Sequence, residues 1–101
     1  MCVREMGLKK IVLDVLKPIR EPTLVTLAKN LSRVSGVKEV SIVVSEMDVE
    51  TVTLVITING NNIDYDEVEN TLRELGVALH SVDEVVFESE VAGGTEEVEE
   101  G

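Results

Sequence analysis

The side chains best suited to chemistry stand in one short segment near the C-terminal end: His80, Ser81, Asp83 and Glu84. Histidine, serine and aspartate are the residue types of hydrolytic triads, but their order here fits no nucleophile elbow. A regular strand would also send His80 and Ser81 to opposite faces. His80 is the only histidine, so one chain cannot supply a histidine-rich zinc site. We therefore interpret the segment as part of a strand, in which His80 bonds to a backbone carbonyl or meets a neighbouring copy at the interface.

Acidic side chains elsewhere suggest sites for Ca²⁺ or another divalent cation. Ca²⁺ takes roughly 6–8 oxygen ligands, and acids cluster around Asp48 and again around Asp64. The EF-hand spacing is absent. Acids near Asp64 also fit a helix start, where the helix dipole favours negative charge, and those near Asp48 also fit a solvated turn. The candidate metal ligands are Asp14, Glu46, Asp48, Asp64, Asp66, Asp83 and Glu84.

Asp14 is unusual because it lies in the middle of an apolar strand, Leu8 to Pro18. A carboxylate there costs free energy unless it is paired or solvated. It could bind a cation or a polar substrate. It could equally pair with a neighbouring lysine or deter incorrect sheet pairing.

Composition limits the classes of partner. The chain has 101 residues and a net charge of −11, which disfavours nucleic acids and anionic membranes because both require a basic surface. A single cysteine, Cys2, and no recognisable signal peptide indicate a cytoplasmic protein.

Hydrophobic periodicity predicts the elements in the order strand, helix, strand, strand, helix, strand. Pro22 opens the first predicted helix and Gly36 ends it, whereas Asp64 caps the second and Gly76 ends it. Alternation breaks in the last strand, which predicts a bulge near Asp83. The core residues expected in that strand are Val82, Val85 and Phe87. The predicted strands are 8–18, 37–48, 51–59 and 77–88, and the predicted helices are 22–36 and 64–76.

Two split β-α-β units with right-handed crossovers give an α+β, ferredoxin-like βαββαβ sandwich. Its four-stranded antiparallel sheet has the order 4-1-3-2, with both helices on one face. We expect a flexible N-terminus at residues 1–7, a domain at residues 8–88 and a flexible acidic tail at residues 89–101.

The sheet face without helices, called the open face below, carries more apolar residues than a solvated face normally does. Exposed apolar area of this kind usually marks an interface. We therefore expect a homo-oligomer that uses this face or the adjacent edge. The expected interface residues are Val12, Leu16, Val43, Met47, Val55 and His80.

Several strings resemble the archaeal domain-of-unknown-function 211 family over residues 7–88. They are Leu-Asp-Val-Leu-Lys-Pro at 13–18, Ser-Gly-Val at 35–37, Asp-Tyr-Asp at 64–66 and His-Ser-Val-Asp-Glu-Val-Val at 80–86. The chain departs from the family where Val77 follows Gly76 in place of a second glycine, and the acidic tail is expected to lie outside the family pattern. The resemblance implies a ferredoxin-like fold and ring-shaped homo-oligomers, and it implies no established activity.

Two functions are compatible with these features. One is a non-enzymatic, ring-forming module that binds divalent cations at acidic clusters. The other is a regulatory domain that senses a small molecule at a subunit interface, although Lys17 and Pro18 occupy the place where such domains have a glycine-rich loop. An enzyme is the least favoured class.

Overall fold

The computed structural model describes residues 7–89. These residues form six elements in the predicted order. Gly7 already belongs to the first strand, so the domain begins one residue earlier than expected. The remainder of the predicted N-terminal segment, and the tail after Ser89, lie outside the described residues. The elements are β1 (Gly7–Pro18), α1 (Leu24–Ser32), β2 (Val37–Met47), β3 (Thr51–Gly60), α2 (Tyr65–Glu74) and β4 (Ala78–Glu88).

The four strands form one antiparallel sheet in the order β2-β3-β1-β4. This is the predicted order 4-1-3-2 read from the other edge, so β1 and β3 are central and β2 and β4 are the edges. The α+β class is confirmed, and the arrangement is consistent with a ferredoxin-like sandwich.

The core lies between one face of the sheet and the two helices. Alternate residues of β1 and β3 point into it, and Leu27, Leu31, Val68 and Leu72 meet them from α1 and α2. The core is aliphatic, because none of its fully buried side chains is aromatic. The side chains that alternate with these core residues lie on the opposite face of β1 and β3, which α1 and α2 do not cover. The buried hydrophobic residues of the sheet are Leu8, Ile11, Leu13, Val15, Val52, Leu54, Ile56 and Ile58.

Capping residues set where both helices begin. The hydroxyl of Thr23 accepts a hydrogen bond from the backbone N–H of Thr26, so Thr23 caps α1 and Pro22 lies outside the helix. The prediction that Pro22 opens the helix was wrong, because a hydroxyl at the next position provides a better cap. Asp64 caps α2 as predicted, with its Oδ1 accepting from the N–H of Glu67 at 3.1 Å.

Two loops come into close backbone contact at one end of the sheet, near these caps. Gly36 has φ +89°, a conformation that side chains rarely adopt. Its carbonyl accepts from the N–H of Asn61 at 2.8 Å. A Cβ at Gly60 would fall inside van der Waals contact with that same carbonyl oxygen. The loop before β2 and the loop after β3 therefore meet where only glycine fits.

Edge strand β4 differs from the sequence prediction. Val82, Val85 and Phe87 were expected in the core, but they are 41%, 56% and 71% exposed. Their partners Leu13, Ile11 and Leu8 on β1 are buried, so these β4 side chains point to the helix side of the sheet. The prediction was wrong because the helices cover the centre of the sheet and leave this edge bare.

Candidate functional site

The candidate site lies where β4 bulges against β1. The pairs Asp14–Ser81 and Val15–Leu79 leave His80 as an extra residue. Similarly, Leu13 pairs with Val82 and Val12 pairs with Glu84, so Asp83 is a second extra residue with no partner on β1. The bulge predicted near Asp83 is confirmed. Because a bulge re-aims side chains, it changes which residues can meet.

The bulge at His80 brings it to Asp14. The Nδ1 of His80 lies 3.4 Å from Oδ2 of Asp14, and Asp14 pairs directly with Ser81. His80 and Ser81 therefore share the Asp14 side, so the prediction that they lie on opposite faces was wrong. Ser81 donates its hydroxyl hydrogen to Oδ1 of Asp83 at 2.8 Å. The side chains thus form two pairs, Asp14–His80 and Ser81–Asp83, and not a Ser-His-Asp relay.

The surroundings of Asp14 are largely apolar. Val12 and Leu16 flank it on the same face of β1, and Val55 lies opposite it on β3. The side chain of Asp14 keeps 25% of its exposure, whereas that of His80 keeps 75%. A half-buried carboxylate with one well-solvated partner is suited to contact a further surface.

One further salt bridge links β1 to β4 on this face. Lys10 Nζ lies 3.5 Å from Oε1 of Glu84, and both side chains are about half exposed. Glu84, a candidate metal ligand, is thereby engaged by a lysine. The open face therefore carries both paired charges, such as Lys10 with Glu84, and acids such as Glu46 that form no ion pair within residues 7–89.

The expected interface residues lie on the open face with one exception. Leu16 and Val43 are exposed there, and Val12 and Val55 are partly buried. Met47 pairs with Val52, whose side chain is in the core, so Met47 points to the helix side. The predicted position of Met47 was wrong because the register shifts at Ser45, which the alternation pattern does not reveal.

The candidate metal ligands are spread over the fold. Glu46 pairs with Thr53 on the open face, and Asp48 accepts from the N–H of Val49 in the hairpin turn at 2.8 Å. Asp64 is occupied as the cap of α2, and Asp66 lies in its first turn. Within residues 7–89, no three acidic, histidine or cysteine side chains come together as a metal-binding group.

An apolar groove lies on the helix side of β4, and the sequence analysis did not identify it. Its volume is about 300 Å³ and it is lined by Leu8, Ile11, Tyr65, Val82 and Val85. Burial raises the pKa of the Tyr65 hydroxyl, and nearby Glu69 raises it further. The missed signal was the unbroken apolar run at residues 85–87, since a solvated edge strand would alternate.

No helix within residues 7–89 is long and apolar enough to cross a membrane.

Comparison with known proteins identifies the family. The DUF211 family model, described as "Uncharacterized ArCR", matches residues 9–101. The match includes the acidic tail, so the expectation that the tail lies outside the family pattern was wrong. A relative, the uncharacterized protein MJ0319 of Methanocaldococcus jannaschii, is 45% identical over 80 residues, which cover 79% of this chain and 81% of the relative. The chain therefore belongs to the DUF211 family.

Proposed function

We propose that this chain is a non-enzymatic module that forms homo-oligomeric rings and holds divalent cations, Ca²⁺ among them, where acids of two copies meet. The observation that carries the proposal is the apolar open face. Leu16 is 40% exposed and Val43 is 58% exposed on this face, and Val12 and Val55 lie on the same face of the central strands. The family resemblance implies ring closure.

The size of the open face supports this proposal. Its strands have 10 to 12 residues, and strands rise about 3.3 Å per residue and lie about 4.8 Å apart. The face therefore measures on the order of 600 Å², which approaches the roughly 800 Å² that each partner buries in a stable interface. A contact that used the whole face would lie near the lower end of the size range of stable interfaces.

The proposal assigns cation binding to the contacts between copies because the acids of one copy are scattered over the fold. Asp14 and Glu46 lie on different strands of the open face, and within residues 7–89 neither belongs to a group of three possible metal ligands. Ca²⁺ requires more oxygens than either position provides. A facing copy would bring the same acids again, which makes the proposed cation sites dependent on assembly.

Light scattering after size exclusion, at micromolar concentration with and without calcium, tests the proposal. We expect a mass several times that of the 11.0 kDa chain. Val43→Lys should lower that mass because it places a charge among the exposed apolar residues of the open face. Val25→Lys is the matched control, since Val25 is 64% exposed but lies on α1. A monomer under all conditions would overturn the proposal.

The second candidate is a domain that senses a small molecule at a subunit interface. The apolar groove beside β4 favours it, because about 300 Å³ is the lower end of the size range of ligand pockets. A thermal-shift screen of amino acids and metabolites separates the two candidates. A shift with a metabolite and none with Ca²⁺ would favour sensing, and the reverse would favour the cation-binding module.

A further inference from the structure

We infer that one end of the open face binds a small organic diphosphate. This ligand carries a charge opposite to that of the proposed cations, and its binding does not depend on assembly. The site is a basin of about 590 Å³ that crosses the sheet near Gly60, called the lysine basin below. Its volume lies within the size range of small-molecule sites. The lining residues that carry the argument are Lys9, Lys10, Lys38, Asn59, Asn61 and Val86.

The lining of the lysine basin is positively charged although the chain as a whole is acidic. The net charge of the chain is −11, and only nine residues are basic. Three of those nine line the basin, together with one acid, Glu39, so the lining has an excess of two positive charges. Oε1 of Glu39 already accepts from Nδ2 of Asn59 at 3.4 Å. The basin would therefore attract an anion that the rest of the surface repels.

A bulge on β1 places two consecutive lysines at the same basin. The pairs Leu8–Phe87 and Lys10–Val86 leave Lys9 as an extra residue. In a regular strand Lys9 and Lys10 would point to opposite faces, yet both line the basin. Bulges re-aim side chains and are over-represented next to active sites. The local backbone of β1 thus brings two lysines to one place.

A second bulge, on β2, adds the third lysine from the other side of β3. The pairs Val37–Gly60 and Glu39–Asn59 leave Lys38 as an extra residue. Lys38 is exposed and forms no ion pair within residues 7–89. Its ammonium group can therefore bind an anion without first giving up a carboxylate of the described chain.

The ion pairs of Lys9 and Lys10 are weak enough to yield to a ligand. Lys9 Nζ lies 3.5 Å from Oε1 of Glu88, and Lys10 has the same separation from Glu84. The two lysine side chains are 33% and 36% exposed, and solvated pairs of this kind contribute little. Lys9 also donates to Oδ1 of Asn61, which holds it beside the basin. A phosphate carries up to two negative charges and would interact with these lysines more strongly than a single carboxylate does.

The donor types of the lining favour phosphate over carboxylate. The planar fork of arginine matches a planar carboxylate, whereas lysine binds phosphate as a point charge. The lysine basin has three lysines and no arginine in its described lining. The side-chain amides of Asn59 and Asn61 add N–H donors. Three ammonium groups exceed what one phosphate requires, which is why we assign two linked phosphates.

The volume of the basin implies an organic group beyond the phosphates. On the scale of roughly 30 Å³ for a water-sized group, the heavy atoms of a diphosphate fill less than half of the basin. Val86 pairs with Lys10 on the open face and is 41% exposed. It gives the basin an apolar wall, against which the organic part of the ligand would lie.

The lysine basin lies beyond the apolar residues that support the proposed function. Lys10 forms a row across the sheet with Asn59, and Val12, Val43 and Leu16 lie in successive rows further along the strands. A contact between copies on those apolar residues is therefore compatible with a ligand in the basin.

Isothermal titration calorimetry tests the inference, with pyrophosphate, adenosine diphosphate and citrate as probes at matched ionic strength. The buffer is freed of metal ions with a chelating resin, so pyrophosphate cannot act by removing a bound cation. We expect saturable binding of both diphosphates and much weaker binding of citrate. Lys38→Met should weaken diphosphate binding by about tenfold or more, because it removes a charge-assisted contact. Lys29→Met is the matched control, since it removes an exposed lysine of α1 and should leave binding unchanged.

A second variant separates the two parts of the ligand. Val86→Ser should weaken binding of adenosine diphosphate several-fold and leave binding of pyrophosphate unchanged, because only the organic part contacts Val86. Val85→Ser is its control, since Val85 is exposed on the helix side and should affect neither probe. Equal losses for both diphosphates in Val86→Ser would overturn the placement of the organic part.

Three results would overturn the inference itself: no binding of either diphosphate, equal affinities in Lys38→Met and Lys29→Met, or citrate binding as tight as that of pyrophosphate. Circular dichroism checks that each variant is folded, and Lys10→Met provides the same comparison if Lys38→Met fails this check. Light scattering of the same samples keeps the two proposals apart. A monomer that binds both diphosphates would remove the proposed rings and support the lysine basin as a site.

Discussion

The imidazole of His80 reaches the carboxylate of Asp14, with 3.4 Å between Nδ1 and Oδ2, because β4 contains one residue more than β1 at this point. Without the extra residue, alternation would place His80 on the other side of the sheet from Ser81. The bulge thus gives the half-buried Asp14 its only ion-pair partner within residues 7–89.

Replacing the two members of this pair should have unequal effects. His80→Ala should change the free energy of unfolding by less than about 0.5 kcal/mol, because exposed ion pairs contribute little. Asp14→Val should raise it by up to about 1 kcal/mol, since valine suits a strand between Val12 and Leu16 better than aspartate does. Urea denaturation followed by circular dichroism measures both. A large loss in both variants would show that the pair is a stability determinant.

Tyr65 should ionise above the ordinary tyrosine value of 10.0, because burial and then Glu69 raise its pKa. It is the only tyrosine, so phenolate absorbance follows it alone. Its hydroxyl donates to Oε2 of Glu69 at 3.2 Å. Glu69→Gln should move the pKa of Tyr65 back towards 10.0, whereas Glu74→Gln on the same helix should leave the titration unchanged. An unchanged titration curve for Glu69→Gln would show that Glu69 does not raise the pKa of Tyr65.

The same raised pKa gives a stability prediction with a definite sign. The folded chain keeps the Tyr65 proton to a higher pH than the unfolded chain does, so this contribution to stability is fully present below pH 10. It is lost as pH rises through the folded pKa. The wild type should therefore lose stability relative to Tyr65→Phe in that range, as measured by urea denaturation at a series of alkaline pH values. A constant difference between the two chains would refute the linkage.

Lys17 is 4% exposed and holds the loop after β1. Its Nζ donates to the carbonyls of Pro18 at 2.7 Å and Ile19 at 3.4 Å. Lys17→Met keeps the aliphatic stem but removes these bonds, and we expect a loss of about 1–2 kcal/mol in unfolding free energy. Lys38→Met removes an exposed lysine and should change it by less than about 0.5 kcal/mol. Equal small effects in the two variants would show that the Lys17 bonds contribute nothing.

Gly60 and Gly76 form a natural pair for testing the loop junction. Gly60→Ala should cost about 3 kcal/mol or more, because the new Cβ would overlap the carbonyl oxygen of Gly36 and neither backbone can yield easily. Gly76 has φ +79° but open space around it, so Gly76→Ala should cost only about 1–2 kcal/mol of backbone strain. Thermal unfolding of both variants gives the comparison. A Gly60→Ala chain as stable as Gly76→Ala would show that the junction relaxes.

The order of strands and helices could be predicted because local patterns determine it. Asp64 with Glu67 marked a helix start, and β3 alternated cleanly between buried and exposed residues. The broken alternation in β4 also revealed the bulge at Asp83. The sequence could not reveal how far each helix reaches across the sheet, which is why Phe87 was assigned to the core.

The candidate site was harder to predict because its geometry depends on single extra residues in β2 and β4. The register shift at Ser45 moved Met47 to the helix side, and the extra residue at His80 moved that side chain to Asp14. Neither shift can be detected in the hydrophobic pattern of the sequence, since the residues around each shift suit a strand whichever face their side chains point to. The sequence could not predict that the candidate metal ligands lie far apart in the fold, because spacing along the chain does not give tertiary distances.

The aliphatic core has a practical consequence for studying assembly. The chain has no tryptophan, and its one tyrosine lines the groove beside Val82 and Val85. Intrinsic tyrosine fluorescence of the unlabelled protein therefore originates at this groove, on the exposed edge of the sheet. A dilution series read through that emission would monitor docking there directly, without attaching a dye that could itself block the groove.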